Sequence, residues 1–196
     1  MKILLKLTGW IDALNGKVGR IIMWLVLAAV LLSAGNAIAR KAFHAGSTAF
    51  LEMQWYLFSG VFLLGAGYAF LKNVHVRIDF VSGRLSARSR SWIDIAGIII
   101  FLVPFCWLMI QLSWPLFFRA WQSGEMSQNA GGLIRWTVFF LLPAGMVLLL
   151  MQSISELIKR IAFLRGLIPD PLAHVQAEEN PGAETIPADT SPSEAR

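Results

Sequence analysis

Four apolar runs, each long enough to cross a bilayer, dominate this sequence: residues 21–39, 50–71, 92–112 and 136–158. A hydrocarbon core of about 30 Å takes about 20 residues of helix, because each residue adds about 1.5 Å. Inside lipid the backbone must satisfy its own hydrogen bonds, so such runs fold as helices. The pattern predicts an all-α membrane protein with four transmembrane helices, forming one membrane domain over 21–165. Composition agrees: 56% of the 196 residues are hydrophobic, only 15% are charged, and the mean hydropathy is +0.61. That balance is too apolar for an ordinary soluble domain.

The charges that remain set the threading. With the N-terminus in the cytoplasm, the inner segments carry 12 Lys and Arg, while the outer loops carry 4, namely Arg40, Lys41, Arg119 and Arg135. The positive-inside rule then places both termini in the cytoplasm of a bacterial inner membrane. Trp55, Tyr56, Trp114, Trp121 and Trp136 fall near the outer boundary, and Trp24, Tyr68 and Trp92 near the inner one. Rings with an apolar body and one polar edge anchor at that depth. Trp107 lies well inside the third run and reads as packed against a neighbour.

The segments around the runs have their own patterns. In residues 1–20, Leu4, Leu7, Ile11, Leu14 and Val18 share a helical face beside Lys2, Lys6, Lys17 and Arg20, which predicts an interfacial amphipathic helix. Ala37-Ile38-Ala39 resembles a signal-peptidase site, but the preceding run exceeds a usual leader core, so the segment reads as retained. A second interfacial helix is expected where Ile78, Val81, Leu85 and Trp92 share a face, with Arg77, Arg84 and Arg88 beside it reaching for lipid phosphates, and the alternation of Val76 to Phe80 fits a short strand equally. Residues 166–196 are rich in Pro, Ala, Glu, Thr and Ser and read as a disordered cytoplasmic tail. Pro104 and Pro143 lie inside helices three and four, and Ser113-Trp114-Pro115 reads as a helix boundary, with helix three reaching at least Leu112 and Trp121 as its alternative end. Ser59-Gly60 and Gly65-Ala66-Gly67 flatten helix two for close packing.

Chemistry is sparse. His44, His75 and His174 are scattered outside the helix centres, and Cys106 is the single cysteine, so neither a metal centre nor a haem pair is expected. The sequence holds no P-loop and no Gly-x-Ser-x-Gly, and the basic residues flank apolar runs instead of forming a nucleic-acid patch. Neither an enzyme nor a cofactor is expected, and lipid headgroups are the natural neighbours of the positive charge. Glu52 has two readings: an acid favoured by a helix N-terminus, or a charge paired with Arg40, Lys41 or a partner protein. Asn36 is expected to form an interhelical hydrogen bond. Asp94 suits a helix start, and Glu156 an i,i+4 pair with the cations after it. Asn36 and Gln111 are too few to line a solute path, which argues against a stand-alone channel.

Several blocks carry a resemblance. They are Glu52-Met53-Gln54-Trp55-Tyr56-Leu57-Phe58, Leu64-Gly65-Ala66-Gly67-Tyr68-Ala69, His75-Val76-Arg77-Ile78-Asp79, Arg84-Leu85-Ser86, Trp92-Ile93-Asp94 and Leu142-Pro143-Ala144-Gly145. From about Trp10 to Leu164 the chain resembles the small membrane subunit of tripartite ATP-independent periplasmic (TRAP) transporters, the DctQ-like family. One departure is Ile134, where that family commonly has Pro. The resemblance implies a small permease subunit that scaffolds a larger permease, with a periplasmic solute-binding receptor delivering an organic acid for ion-coupled uptake. It also implies that Glu52, Trp55, His75, Arg77 and Asp79 contact a partner or hold the scaffold. The rival reading is a membrane-anchor subunit of another complex, such as an oxidoreductase.

Overall fold

The computed structural model describes residues 2–43, 48–72, 86–129 and 132–169. They form helices α1 (Lys2–Phe43), α2 (Thr48–Leu71), α3 (Ala87–Gly97), α4 (Val103–Ser123) and α5 (Trp136–Leu164), with a π-helical turn, Ile98–Leu102, joining α3 to α4. Four stretches are long and apolar enough to cross a membrane: Ile3–Phe43, Thr48–Leu71, Arg88–Ser123 and Trp136–Leu164.

The structure changes the reading of the N-terminus. Residues 2–20 and the first apolar run form one 42-residue helix, about 63 Å long at 1.5 Å per residue. Thr8, Ile11, Asn15 and Ile22 are buried on it, whereas Leu4 and Leu7 stay exposed, so the side that packs on protein shares Ile11 with the expected apolar face but is turned away from Leu4 and Leu7. The apolar spacing was the correct signal for a helix; it does not distinguish a lipid surface from a neighbouring helix. The expected second interfacial helix falls mostly outside the described residues, as do His44, His75, Arg77, Asp79, His174 and the tail from residue 170.

Helix α5 is the hub, touching α1, α2 and α4. Its approach to α2 depends on Gly145, whose Cα faces the Leu63 carbonyl so closely that a Cβ would sit 2.7 Å from that carbonyl carbon. Helices α1 and α2 run antiparallel in close contact: Gly67 faces Asn15, Gly65 faces Ile22 and Gly60 faces Leu25. Small residues let helix backbones approach, so dispersion replaces the hydrophobic drive that lipid removes. The apolar centre is Cys106, Met146 and Leu149, packed by Leu63, Ala66, Leu102, Met109 and Leu142.

Prolines shape the third span. Pro104 has no N–H to donate to Ile100, and its ring crowds that carbonyl. The wide turn lies just before it, where the Val103 N–H bonds the Ile98 carbonyl five residues back. Pro115 does not end the helix; α4 continues to Ser123, so the alternative end near Trp121 is the better reading. Membrane helices tolerate such a break where neighbouring groups re-satisfy the freed backbone. Trp114, Phe117, Phe140, Trp121 and Trp136 then form a chain of ring contacts along the α4–α5 seam. The stop comes at Gly124, in the left-handed region at φ 60°. Helix α5 runs past the apolar run to Leu164 and ends with Gly166 at φ 69°, where Leu167 N–H bonds the Ala162 carbonyl and Gly166 N–H that of Phe163. Trp107, expected to be packed, is 60% exposed.

Candidate functional site

Polar groups gather at the two ends of the bundle. At the first, the α4–α5 connection folds back on itself: Ser127 N–H bonds Leu133 O at 3.0 Å, Arg135 N–H bonds Glu125 O at 3.1 Å, and Met126 bridges Ile134. Glu52, in the second turn of α2, holds this loop. Its Oε1 accepts from the Ser127 hydroxyl and from Asn129 Nδ2 at 2.6 Å, and its Oε2 from Leu133 N–H at 2.9 Å. The residue is only 2% exposed. Its partners are therefore loop donors of this chain, and neither Arg40 nor Lys41 forms an ion pair with it among the described residues.

Trp55 is on the surface that Glu52 organises. It is half exposed and meets Tyr56 edge-on at 5.0 Å. A cleft of about 330 Å³ opens beside it, lined by Trp55, Tyr56, Gln128, Asn129, Arg135 and Phe139. Arg135 pairs with Glu125 and stands 5.3 Å over the Phe139 ring. Of the two residues expected here, Glu52 shapes the surface and Trp55 presents it. Replacing Glu52 with Ala removes the acceptor of three loop donors. Hydrogen exchange in residues 124–135 should then accelerate while α5 stays protected; unchanged loop protection would contradict the role given to this carboxylate.

The second end holds a network that the sequence reading missed. Asp12 Oδ1 accepts from Gln152 Nε2 and Ser155 Oγ, each at 2.9 Å, and Lys159 Nζ lies 2.7 Å from Asp12 Oδ2 and 2.8 Å from Glu156 Oε1. Asn15 Nδ2 donates to Gln152 Oε1 at 2.9 Å. Arg160 reaches Asp94 at 2.6 Å and so ties α5 to α3. Asn15, Gln152 and Ser155 are fully buried, and Glu156 and Arg160 nearly so. The missed signal was the spacing of Asp12 and Asn15, three apart on one face of the early helix, matched by Gln152, Ser155 and Lys159 on α5. Asn36 differs from expectation too, since its buried Oδ1 accepts no hydrogen bond among the described residues.

Among the described residues no three His, Cys, Asp or Glu side chains gather as metal ligands. The carboxylates of Asp12, Glu52 and Glu156 are occupied in holding helices and a loop together.

Against known families, the model of the DctQ component of tripartite ATP-independent periplasmic transporters matches residues 29–163. The chain belongs to the DctQ family. The match covers well over half the sequence, from the middle of α1 to the last turn of α5, and it includes Glu52, Trp55 and the His75–Asp79 block. No curated protein matches the sequence. As a DctQ component with four apolar spans, the chain is a multi-pass inner-membrane protein and the small permease component of a TRAP transporter. Asp12 and Asn15 lie before the matched region, whereas their partners Gln152, Ser155 and Lys159 lie inside it.

Proposed function

We propose that this DctQ-family chain is the static scaffold beside a large permease, and that the large permease alone carries substrate and coupling ion. An organic acid, delivered by a soluble periplasmic receptor, is the solute class. The observation that carries this reading is the distribution of polar groups: Glu52 and the Asp12 network bond within the chain at opposite ends, and an apolar core of Cys106, Met146 and Leu149 lies between them. A solute path needs polar groups converging at mid-membrane. The positive-inside count supports cytoplasmic termini, which would turn Trp55 and the 124–135 loop toward the receptor.

Proteoliposomes provide the test. With receptor and ion gradient present, this chain alone should take up no organic acid, and the large permease should transport well only when the chain is co-reconstituted. Uptake by the chain alone would overturn the reading. The His75–Asp79 block is assigned to scaffold assembly on lipid or the partner. A double Arg77→Ala, Asp79→Ala variant should therefore co-purify less large permease while leaving receptor–solute affinity unchanged. Full co-purification and full uptake would remove that role.

A further inference from the structure

We infer that the outward stripe of α4 centred on Gln111 is the seat for a transmembrane helix of another subunit, one that brings a hydroxyl or amide to the level of Gln111. On the function proposed above that subunit is the large permease, and the inference rests on that reading.

The stripe follows from helical geometry. Pro104, Trp107, Gln111, Pro115, Phe118 and Gln122 are spaced three or four apart and so share one face of the span. All six are exposed, Trp107 at 60% and Phe118 at 50%. The opposite face, with Cys106, Ser113 and Ala120, is buried against α5. No described helix of this chain covers the outer stripe.

Lipid is a poor solvent for what that stripe displays. Gln111 lies ten residues inward from Trp121, about 15 Å along a helix axis, and its side chain is too short to reach a headgroup layer. It makes no hydrogen bond among the described residues. Pro115 adds a second polar group at the same place. Lacking an N–H, it leaves the Gln111 carbonyl without its i+4 donor. Hydrocarbon tails can satisfy neither the amide nor the carbonyl, whereas a neighbouring helix with Ser, Thr, Asn or Gln at that depth can satisfy both. Trp107 is the only tryptophan far from both interfaces, and a second helix explains its position as an anchor does not. Next to the stripe, Ile110, Trp114, Phe140, Pro143 and Val147 line an apolar groove of about 400 Å³, which can receive a side chain of the incoming helix.

The test uses the chain co-expressed with the large permease. A photoreactive benzoylphenylalanine at Trp107 or Phe118 should crosslink to the large permease, whereas the same probe at Trp24 or Phe62, exposed on α1 and α2, should not. Gln111→Leu should lower the co-purified large permease by about threefold, the scale of one interhelical hydrogen bond, and Gln111→Asn should restore part of it. The melting temperature of the chain alone should not change in either variant, because the Gln111 side chain bonds nothing among the described residues. Three outcomes overturn the inference alone: adducts from Trp107 and Phe118 only with lipid, adducts with a second copy of this chain, or adducts with the large permease only from Trp24 and Phe62. If the unaltered chain captures no large permease at all, the scaffold reading fails as well.

Discussion

Gly145→Val should yield no folded, monodisperse protein in detergent, and Gly145→Ala a chain that melts far below the parent. The reason is which atoms stand in the way. A Cβ at 145 collides with the carbonyl oxygen of Leu63 and lies 2.7 Å from its carbon. A side chain would rotate aside, but main chain inside α2 moves only if the helix moves. Displacing α2 also disturbs the α1–α2 packing at Gly67, where an added Cβ would lie 2.5 Å from Asn15 Oδ1 and 3.3 Å from the Leu148 carbonyl carbon. Overpacking a core ordinarily costs about 1–3 kcal/mol, and this obstruction should reach or exceed the upper figure. Gly35 is the control, since a Cβ there meets nothing within 4 Å. Gly35→Ala should leave the melt unchanged or raise it slightly, through helix propensity. Comparable melting of the two alanine variants would mean that α2 and α5 are not pressed together at Gly145.

The contrast between Gly145 and Gly35 shows where sequence reading stops. Both are glycines in apolar runs, and only the three-dimensional partner separates them. The four spans were readable because length and hydropathy alone decide what a bilayer accepts, and Gly65-Ala66-Gly67 announced a packing face on helix two. Helix ends were less readable. The apolar run stops at Ile158, yet α5 continues to Leu164 because Lys159 finds Asp12 on α1 and Arg160 finds Asp94 on α3, with Glu156 pairing Lys159 within α5. Pro115 suggested a boundary, but the ring contacts of Phe117 with Phe140 and of Trp121 with Trp136 on α5 carry the helix through it. Glu52 was conspicuous in the sequence; that its partners are Ser127, Asn129 and Leu133 was not, since they lie 75 to 81 residues away. Asp12 was hidden for the opposite reason, because an acid among lysines near an N-terminus looks like a solvated charge until α5 supplies its donors.

Lys159 is the clearest place to test that network. Lys159→Met should destabilise the chain by about 3–5 kcal/mol, the cost of removing one partner from a buried ionic pair. The lower end is expected, because Lys159 and Asp12 keep 18% and 26% side-chain exposure and water screens part of the charge. What the substitution leaves behind sets the cost: Asp12 and Glu156 converge on the same nitrogen and would face each other with no cation between them. Neutralising the carboxylates should therefore rescue the variant. Lys159→Met combined with Asp12→Asn and Glu156→Gln should recover much of the lost stability, a non-additivity that only contacting groups produce. Exchange rates should locate the effect. In Lys159→Met the first part of α1, around Thr8 to Asn15, should lose protection before Gly60 to Gly67 of α2 does, because Asp12 is bound to α5 by Gln152, Ser155 and Lys159. If the triple variant melts no higher than the single one, or if residues 8–15 stay protected in both, the charges are solvated bystanders and packing alone holds the start of α1 against α5.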